Sequence, residues 1–284
     1  MAKERAGIIH PGNMGASIAA AAKSSGHEIL WASEGRSPQT HERATSIGLV
    51  DAGTLAELCR RCSVLLSVCP PHAAEHVAEQ VLSHSFSGLY LDANAISPQR
   101  AERISRKMLR SGVAFIDGGI IGGPAWSPGR TSLYLSGPEA EASASLFSAG
   151  PLEVEVIGKD VGKASALKMC YAANTKGTTA LLCAVLAAAE RLGVREELQQ
   201  QWTRDEAGYT ERTAQRIRNV TKKAWRFAAE MDEIASTFRD AGLPGEFHDG
   251  ASVLYRRIAG FKDAPSIPPL EEVLAALARC EDLP

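Results

Sequence analysis

The sequence predicts a two-part fold: an α/β half with a mostly parallel sheet over residues 1–157, followed by an all-α half over 158–284. Three observations predict it. Apolar β-branched runs alternate with amphipathic segments through the first half. From about Val161 that alternation stops and helical periodicity takes over. A glycine-bearing turn joins the first apolar run directly to an alanine-rich segment.

Taken in order, residues 6–10, 28–32, 64–69, 89–92, 113–117 and 132–136 read as strands, being short, apolar and rich in Val, Ile, Leu and aromatic residues. Helical patterns at 16–25, 55–61, 73–82 and 98–110 lie between most of them, and strands joined by helices of that length form right-handed parallel crossovers. Residues 162–192 read as one long alanine-rich helix closed by Gly193 in the left-handed cap position. At least four further helices follow, punctuated by Leu243-Pro-Gly and by residues 265–269.

Composition narrows the function classes. With 45% hydrophobic and 23% charged residues in 284, the chain sits at the globular average. Thirty-one Lys and Arg against 33 Asp and Glu leave a net charge of −2 with no long run of either sign, which argues against nucleic acid and anionic membrane as partners. The longest apolar stretch, residues 177–189 between Lys176 and Glu190, is too short to cross a bilayer and reads as a buried helix. The opening MAKERAGII has no signal-peptide pattern, so a cytoplasmic location is expected. Cys59, Cys62, Cys69, Cys170, Cys183 and Cys280 are scattered in apolar context as reduced thiols are, and the Cys59/Cys62 pair lacks a second ligand pair at zinc spacing, so no metal is expected.

The first strand ends at His10-Pro11-Gly12-Asn13-Met14-Gly15, and a helix begins at once. Gly12 lets backbone approach a pyrophosphate, Gly15 lets helix pack on strand, and the helix start offers free N–H groups and a positive dipole end. His10 holds the place where the dinucleotide pattern has its first glycine. At the end of the second strand, Glu34 suits the ribose hydroxyl of NAD, whereas Arg36 with Ser33 and Ser37 suits the 2′-phosphate of NADP. NADP is the favoured cofactor, NAD the alternative, and a solvated turn the bland reading of the same residues.

Four segments in order, Gly7-Ile-Ile-His-Pro-Gly-Asn-Met-Gly15, Ser67-Val-Cys-Pro-Pro71, Asp117-Gly-Gly-Ile-Ile-Gly-Gly123 leading to Gly129, and Gly162 with Lys168, resemble the β-hydroxyacid dehydrogenase and imine reductase superfamily, relatives of 6-phosphogluconate dehydrogenase. The resemblance is strongest to the branch with a distinctive helical C-terminal domain. It implies a Rossmann domain, a long interdomain helix, an active site between the domains and a homodimer. It also implies that Cys69, Pro70 and Asn94 border the cofactor, that Gly122 and Gly123 offer backbone N–H groups to a small-molecule substrate, and that Lys168 is the catalytic residue.

Residue chemistry supports that role, because hydride transfer at a carbon bearing O–H needs a group that takes or returns the hydroxyl proton. Lys168 sits in the apolar, small-residue stretch ASALKMCYAA; Tyr171 and Thr175, three and seven residues on, share its face in an unbroken α-helix and join the substrate candidates. Snorkelling of Lys168 to solvent is the alternative. Trp126 is a candidate pocket wall or a packing residue, and His248 a candidate cleft residue or a structural one.

Two departures matter. Ala172 stands where hydroxyacid dehydrogenases have Asn, and Ile121 where they have Ser. Both remove polar groups that hold a substrate carboxylate, and GGIIGGPAW is closer to imine reductases, which usually lack the Lys. The expected function is an NADP-dependent oxidoreductase acting on a hydroxyl, carbonyl or imine carbon, with Lys168 as general acid/base. A non-catalytic dinucleotide sensor or assembly protein, motivated by His10, Ile121 and Ala172, and an oxidative decarboxylase of a sugar acid are the alternatives.

Overall fold

The computed structural model describes residues 4–279; Cys280 and the first three residues lie outside them. The chain divides between Met169 and Cys170 into two compact units.

The N-terminal unit holds eight strands: β1 (Arg5–Ile8), β2 (Glu28–Ala32), β3 (Val50–Gly53), β4 (Val64–Ser67), β5 (Leu89–Asp92), β6 (Ala114–Gly122), β7 (Thr131–Ser136) and β8 (Glu153–Gly158). Their order across the sheet is β3-β2-β1-β4-β5-β6-β7-β8. All pairs are parallel except β6 with β7. Helices α1 (Asn13–Ser24), α2 (Pro38–Ser46), α3 (Leu55–Arg61), α4 (Ala74–Ser83), α5 (Pro98–Arg110) and α6 (Ala140–Ala144) connect them, and α7 (Lys163–Ala172) follows β8.

The sheet is buried on both faces, and alternation along each strand sends neighbours to opposite sides. Leu66, Leu91 and Ile116 join one core with Ile18 and Phe147. Leu65, Tyr90 and Phe115 join the other with Leu58, Val81 and Ile104. This is a doubly wound Rossmann sheet.

Two strands, β3 and β8, and two helices, α2 and the short α6, escape the sequence reading. β3 buries one of its four residues and β8 none of its six, so neither carries a continuous apolar run. α2 has a single buried residue, Ala44, and is set by local capping: Ser37 Oγ accepts from the Thr40 N–H, and Pro38 opens the first turn.

The C-terminal unit is helical. After the end of α7 the chain makes a π-helical turn, Ala173–Gly177, then α8 (Thr178–Leu192), α9 (Arg195–Asp205), α10 (Tyr209–Val220), α11 (Ala224–Asp240), α12 (Glu246–Arg257) and α13 (Leu270–Leu277). Gly193 takes φ +69° at the end of α8, as the cap requires. The expected single helix over 162–192 is corrected: a π turn interrupts it. Among the described residues no helix is long and apolar enough to cross a membrane.

Candidate functional site

Parallel register brings the ends of β1, β2, β4 and β5 to one edge of the sheet, with Ile8 opposite Trp31 and Leu66, and Ser67 opposite Asp92. Everything that follows these strands therefore collects there, where open α/β sheets bind ligands.

His10 to Gly15 form the turn from β1 into α1. A Cβ on Gly15 would fall 2.3 Å from the His10 carbonyl oxygen, so only glycine permits the turn. A Cβ on Gly12 would meet nothing within 4 Å, leaving open space against the backbone. No side chain caps α1, and no acidic residue occupies its first turn. An open glycine, bare N–H groups and a positive dipole end suit a phosphate, so the residues present fit a dinucleotide.

Around this turn lie two guanidinium groups. Arg36 Nη2 donates to the Ile9 carbonyl and Arg36 Nε to the Ala32 carbonyl, both at 3.4 Å, so it spans the ends of β1 and β2. Arg43, on α2, donates from Nη1 to the Pro11 carbonyl at 3.1 Å. Burial, and secondarily the Arg36 charge, pulls the His10 imidazole down to about 4, and its Nδ1 has no partner. The serines are locally engaged: Ser33 N–H donates to the Gly53 carbonyl at 2.8 Å, and Ser37 caps α2.

Asn94 ties the next two strand ends together. It accepts from the Cys69 N–H at 2.5 Å, donates to Ser67 Oγ at 3.1 Å, and its own N–H reaches Asp92 Oδ1 at 2.9 Å. Burial pushes the Cys69 thiol up to about 12, so it stays neutral. Pro70 is exposed beside it.

At the end of β6, Gly122 adopts φ +120°, and a Cβ there would lie 2.2 Å from the Arg130 carbonyl oxygen. Gly122 and Gly123 are exposed, and the segment is fastened to α1 by the Ala125 N–H on Ser17 Oγ at 2.9 Å. Trp126 is 52% exposed.

Lys168 is half-buried on α7, whose start is clamped by a buried carboxylate. Asp117 accepts the N–H groups of Gly162 and Ser165 at 3.0 and 2.9 Å and the hydroxyls of Ser165 and Ser136 at 2.6 and 3.0 Å. Ser136 Oγ in turn accepts from the Ala164 N–H. Four hydrogen bonds to one carboxylate oppose the upward push of burial on Asp117. Two residues further along β6, a Cβ on Gly119 would lie 2.6 Å from the Ala164 carbonyl oxygen and 3.3 Å from Lys168 Cβ. Strand and helix thus touch backbone to backbone beside Lys168.

The remaining candidates belong to the helical unit. Tyr171 is 45% exposed. Thr175 lies in the π turn and donates from Oγ1 to the Tyr171 carbonyl at 3.1 Å. Thr175 thus lies in the π turn rather than in α7, where α-helical spacing no longer applies. His248 is buried in the first turn of α12, edge-on to Phe238 and Phe247 and against Gly177, with Nδ1 unpartnered.

Residues 5–147 match the family described as the NAD binding domain of 6-phosphogluconate dehydrogenase. The chain belongs to that family. Residues 189–258 match a domain of unknown function, DUF1932. Membership supports a nicotinamide-dinucleotide-binding domain over residues 5–147.

An uncharacterized 28.5 kDa protein of Methanothermus fervidus is 30% identical over 171 residues, 60% of this chain and 65% of that protein. The chain thus aligns with less than two thirds of that relative. A solved conserved protein of unknown function, described as structurally similar to 3-hydroxyacid dehydrogenases, is 28% identical with a TM-score of 0.64, covering 92% of this chain and 100% of that one. The 3-hydroxyisobutyrate dehydrogenase of Mycobacterium tuberculosis, solved with L-serine, shares the fold at 16% identity and a TM-score of 0.70, covering 98% and 100%.

Sequence reasoning missed Arg43 and the Asp117 clamp. A Ser-Pro helix start at 37–38 was the available signal for α2 and hence for Arg43. Asp117 stood in plain view inside a recognised segment, but its partners Ser136, Gly162 and Ser165 come from β7 and the start of α7, up to 48 residues away.

Proposed function

We propose that this 6-phosphogluconate dehydrogenase-type protein is an NADP-dependent oxidoreductase that interconverts a small-molecule hydroxyl and carbonyl, or an amine and imine, with Lys168 as general acid/base. The observation that carries it is the Asp117 clamp and the Gly119 contact, which hold the backbone beside Lys168 rigid against the strand next to the dinucleotide edge. Arg36 and Arg43, both lying against the phosphate turn, favour a 2′-phosphate and hence NADP.

When bound, the nicotinamide supplies or accepts a hydride. This chain's residues do the rest. The turn from Gly12 to Gly15 and Arg36 with Arg43 bind phosphates, and Asn94 orders the backbone of Cys69 and Pro70 at the next strand end. Gly122 and Gly123 offer N–H groups to the substrate, with Trp126 as a wall. Lys168 Nζ gives a proton to the substrate oxygen or nitrogen during reduction and takes it back in the reverse direction. Tyr171, Thr175 and His248 are further candidates for substrate contact. A second copy of the chain completes the molecule as a homodimer, a reading supported by exposed apolar side chains on the helical unit.

NADPH should quench protein fluorescence on binding and raise the melting temperature. Arg36→Ala and Arg43→Ala should each weaken NADPH about tenfold while leaving NADH within about twofold, as loss of a charge-assisted contact to a 2′-phosphate requires. NADPH absorbance should then fall when hydroxyacids, ketones and imines are screened, and Lys168→Ala should slow the active compound by about 10²-fold or more. Tight NADPH binding with no turnover of any compound would mark a sensor; release of CO₂ would mark a decarboxylase.

A further inference from the structure

The helical unit contains a groove that the proposed chemistry does not use. One face of α10, continued into the turn 221–223, presents Arg212, Gln215, Arg216, Asn219 and Lys223, spaced as a helix spaces one face. With Thr179 of α8 and Phe227 of α11 they line an open surface groove of about 470 Å³ whose lining includes no carboxylate. That volume suits a metabolite.

Arg216 is already aimed. Its Nε donates to Thr179 Oγ1 and its Nη2 to the Thr175 carbonyl, both at 2.7 Å. A guanidinium has five N–H donors, so three remain for a ligand while the group is held in place by the other two. Arg212 is shared with Glu206. Lys223 has no carboxylate partner among the described residues. The lining therefore carries a surplus of about two positive charges. The Phe227 ring gives one apolar wall.

The place itself is unusual. Thr175 belongs to the π turn, and π turns are rare elements that recur at functional sites. Here the turn is stitched by the same arginine that lines the groove.

We propose that this groove binds a small polyanion carrying a phosphate or at least two carboxylates, with Arg216 as the oriented anchor and Lys223 and Arg212 completing the charge. Anion binding in the groove stands independently of the oxidoreductase reading; its assignment to a substrate tail rests on that reading. Two sources share this chemistry: the anionic tail of the substrate, or a separate effector.

The test is calorimetric titration of the full chain with citrate and with inorganic phosphate, against sodium chloride at matched ionic strength. Saturable binding of one equivalent is expected, weakened about tenfold by Lys223→Ala and by Arg212→Ala, the scale of one charge-assisted contact. Both side chains are exposed, so these variants report on binding rather than on folding. No heat beyond that of chloride, or unaltered affinity in the double variant, would overturn the proposal. NADPH affinity measured on the same samples separates this outcome from failure of the oxidoreductase reading. Should a phosphate-bearing or dicarboxylate compound oxidise NADPH, a KM raised more than kcat is lowered in Lys223→Ala places its tail in the groove; citrate binding without effect on KM marks an effector.

Discussion

His10 stands where a glycine would make the tight turn, and its surroundings decide its charge. The imidazole is held at about 4 by burial and by Arg36, so at neutral pH it adds no charge to a turn already flanked by two arginines. The sign of the pH effect follows. Below about 6.5 the unfolded chain takes a proton that the folded chain refuses until about 4, so stability falls as pH drops through that window. His10→Asn should flatten this acid limb by on the order of 2 kcal/mol at pH 4.5, read from urea melts. An unaltered limb would mean that the imidazole is solvated.

At the scale of elements, the contact between β6 and α7 fixes the backbone beside Lys168. Gly119→Ala drives a methyl into the Ala164 carbonyl and toward Lys168 Cβ. It should cost about 1–3 kcal/mol, the usual penalty for overpacking, and should slow turnover more than it weakens NADPH. The π turn shows the complementary case. Its freed carbonyls are taken by hydroxyls and distant side chains: Thr178 Oγ1 on Asn174, Arg216 on Thr175, and Tyr255 OH on Lys176 at 2.7 Å. An alanine-rich stretch has little apolar phase to betray an added residue, and Arg216 and Tyr255 lie 41 and 79 residues downstream of the carbonyls they hold. No local pattern could have shown that turn.

For the whole molecule, several large apolar side chains of the helical unit face solvent: Leu181 at 47%, Leu192 at 75%, Val194 at 46% and Leu243 at 54%. α9, which follows Leu192 and Val194, buries none of its residues. A second copy of the chain would cover such a surface. Sedimentation equilibrium should give roughly 60 kDa, twice the 30.2 kDa chain, and Leu192→Glu should shift the equilibrium toward monomer. A parent protein that sediments as a monomer at micromolar concentration would remove the dimer.

By itself the sequence determined the class of the fold and the place of the glycine turn between β1 and α1, because strand period, helix period and a glycine's freedom are read over a few residues. The same local signals located His10, Gly12, Gly15 and Arg36. Tertiary structure alone decided which side chains meet. Arg43 reaches the Pro11 carbonyl, Asp117 gathers Ser136, Gly162 and Ser165, and Arg216 finds Thr175. Each of these contacts joins residues 19 to 48 positions apart, and such hydrogen bonds are made only after sheet and helices have packed.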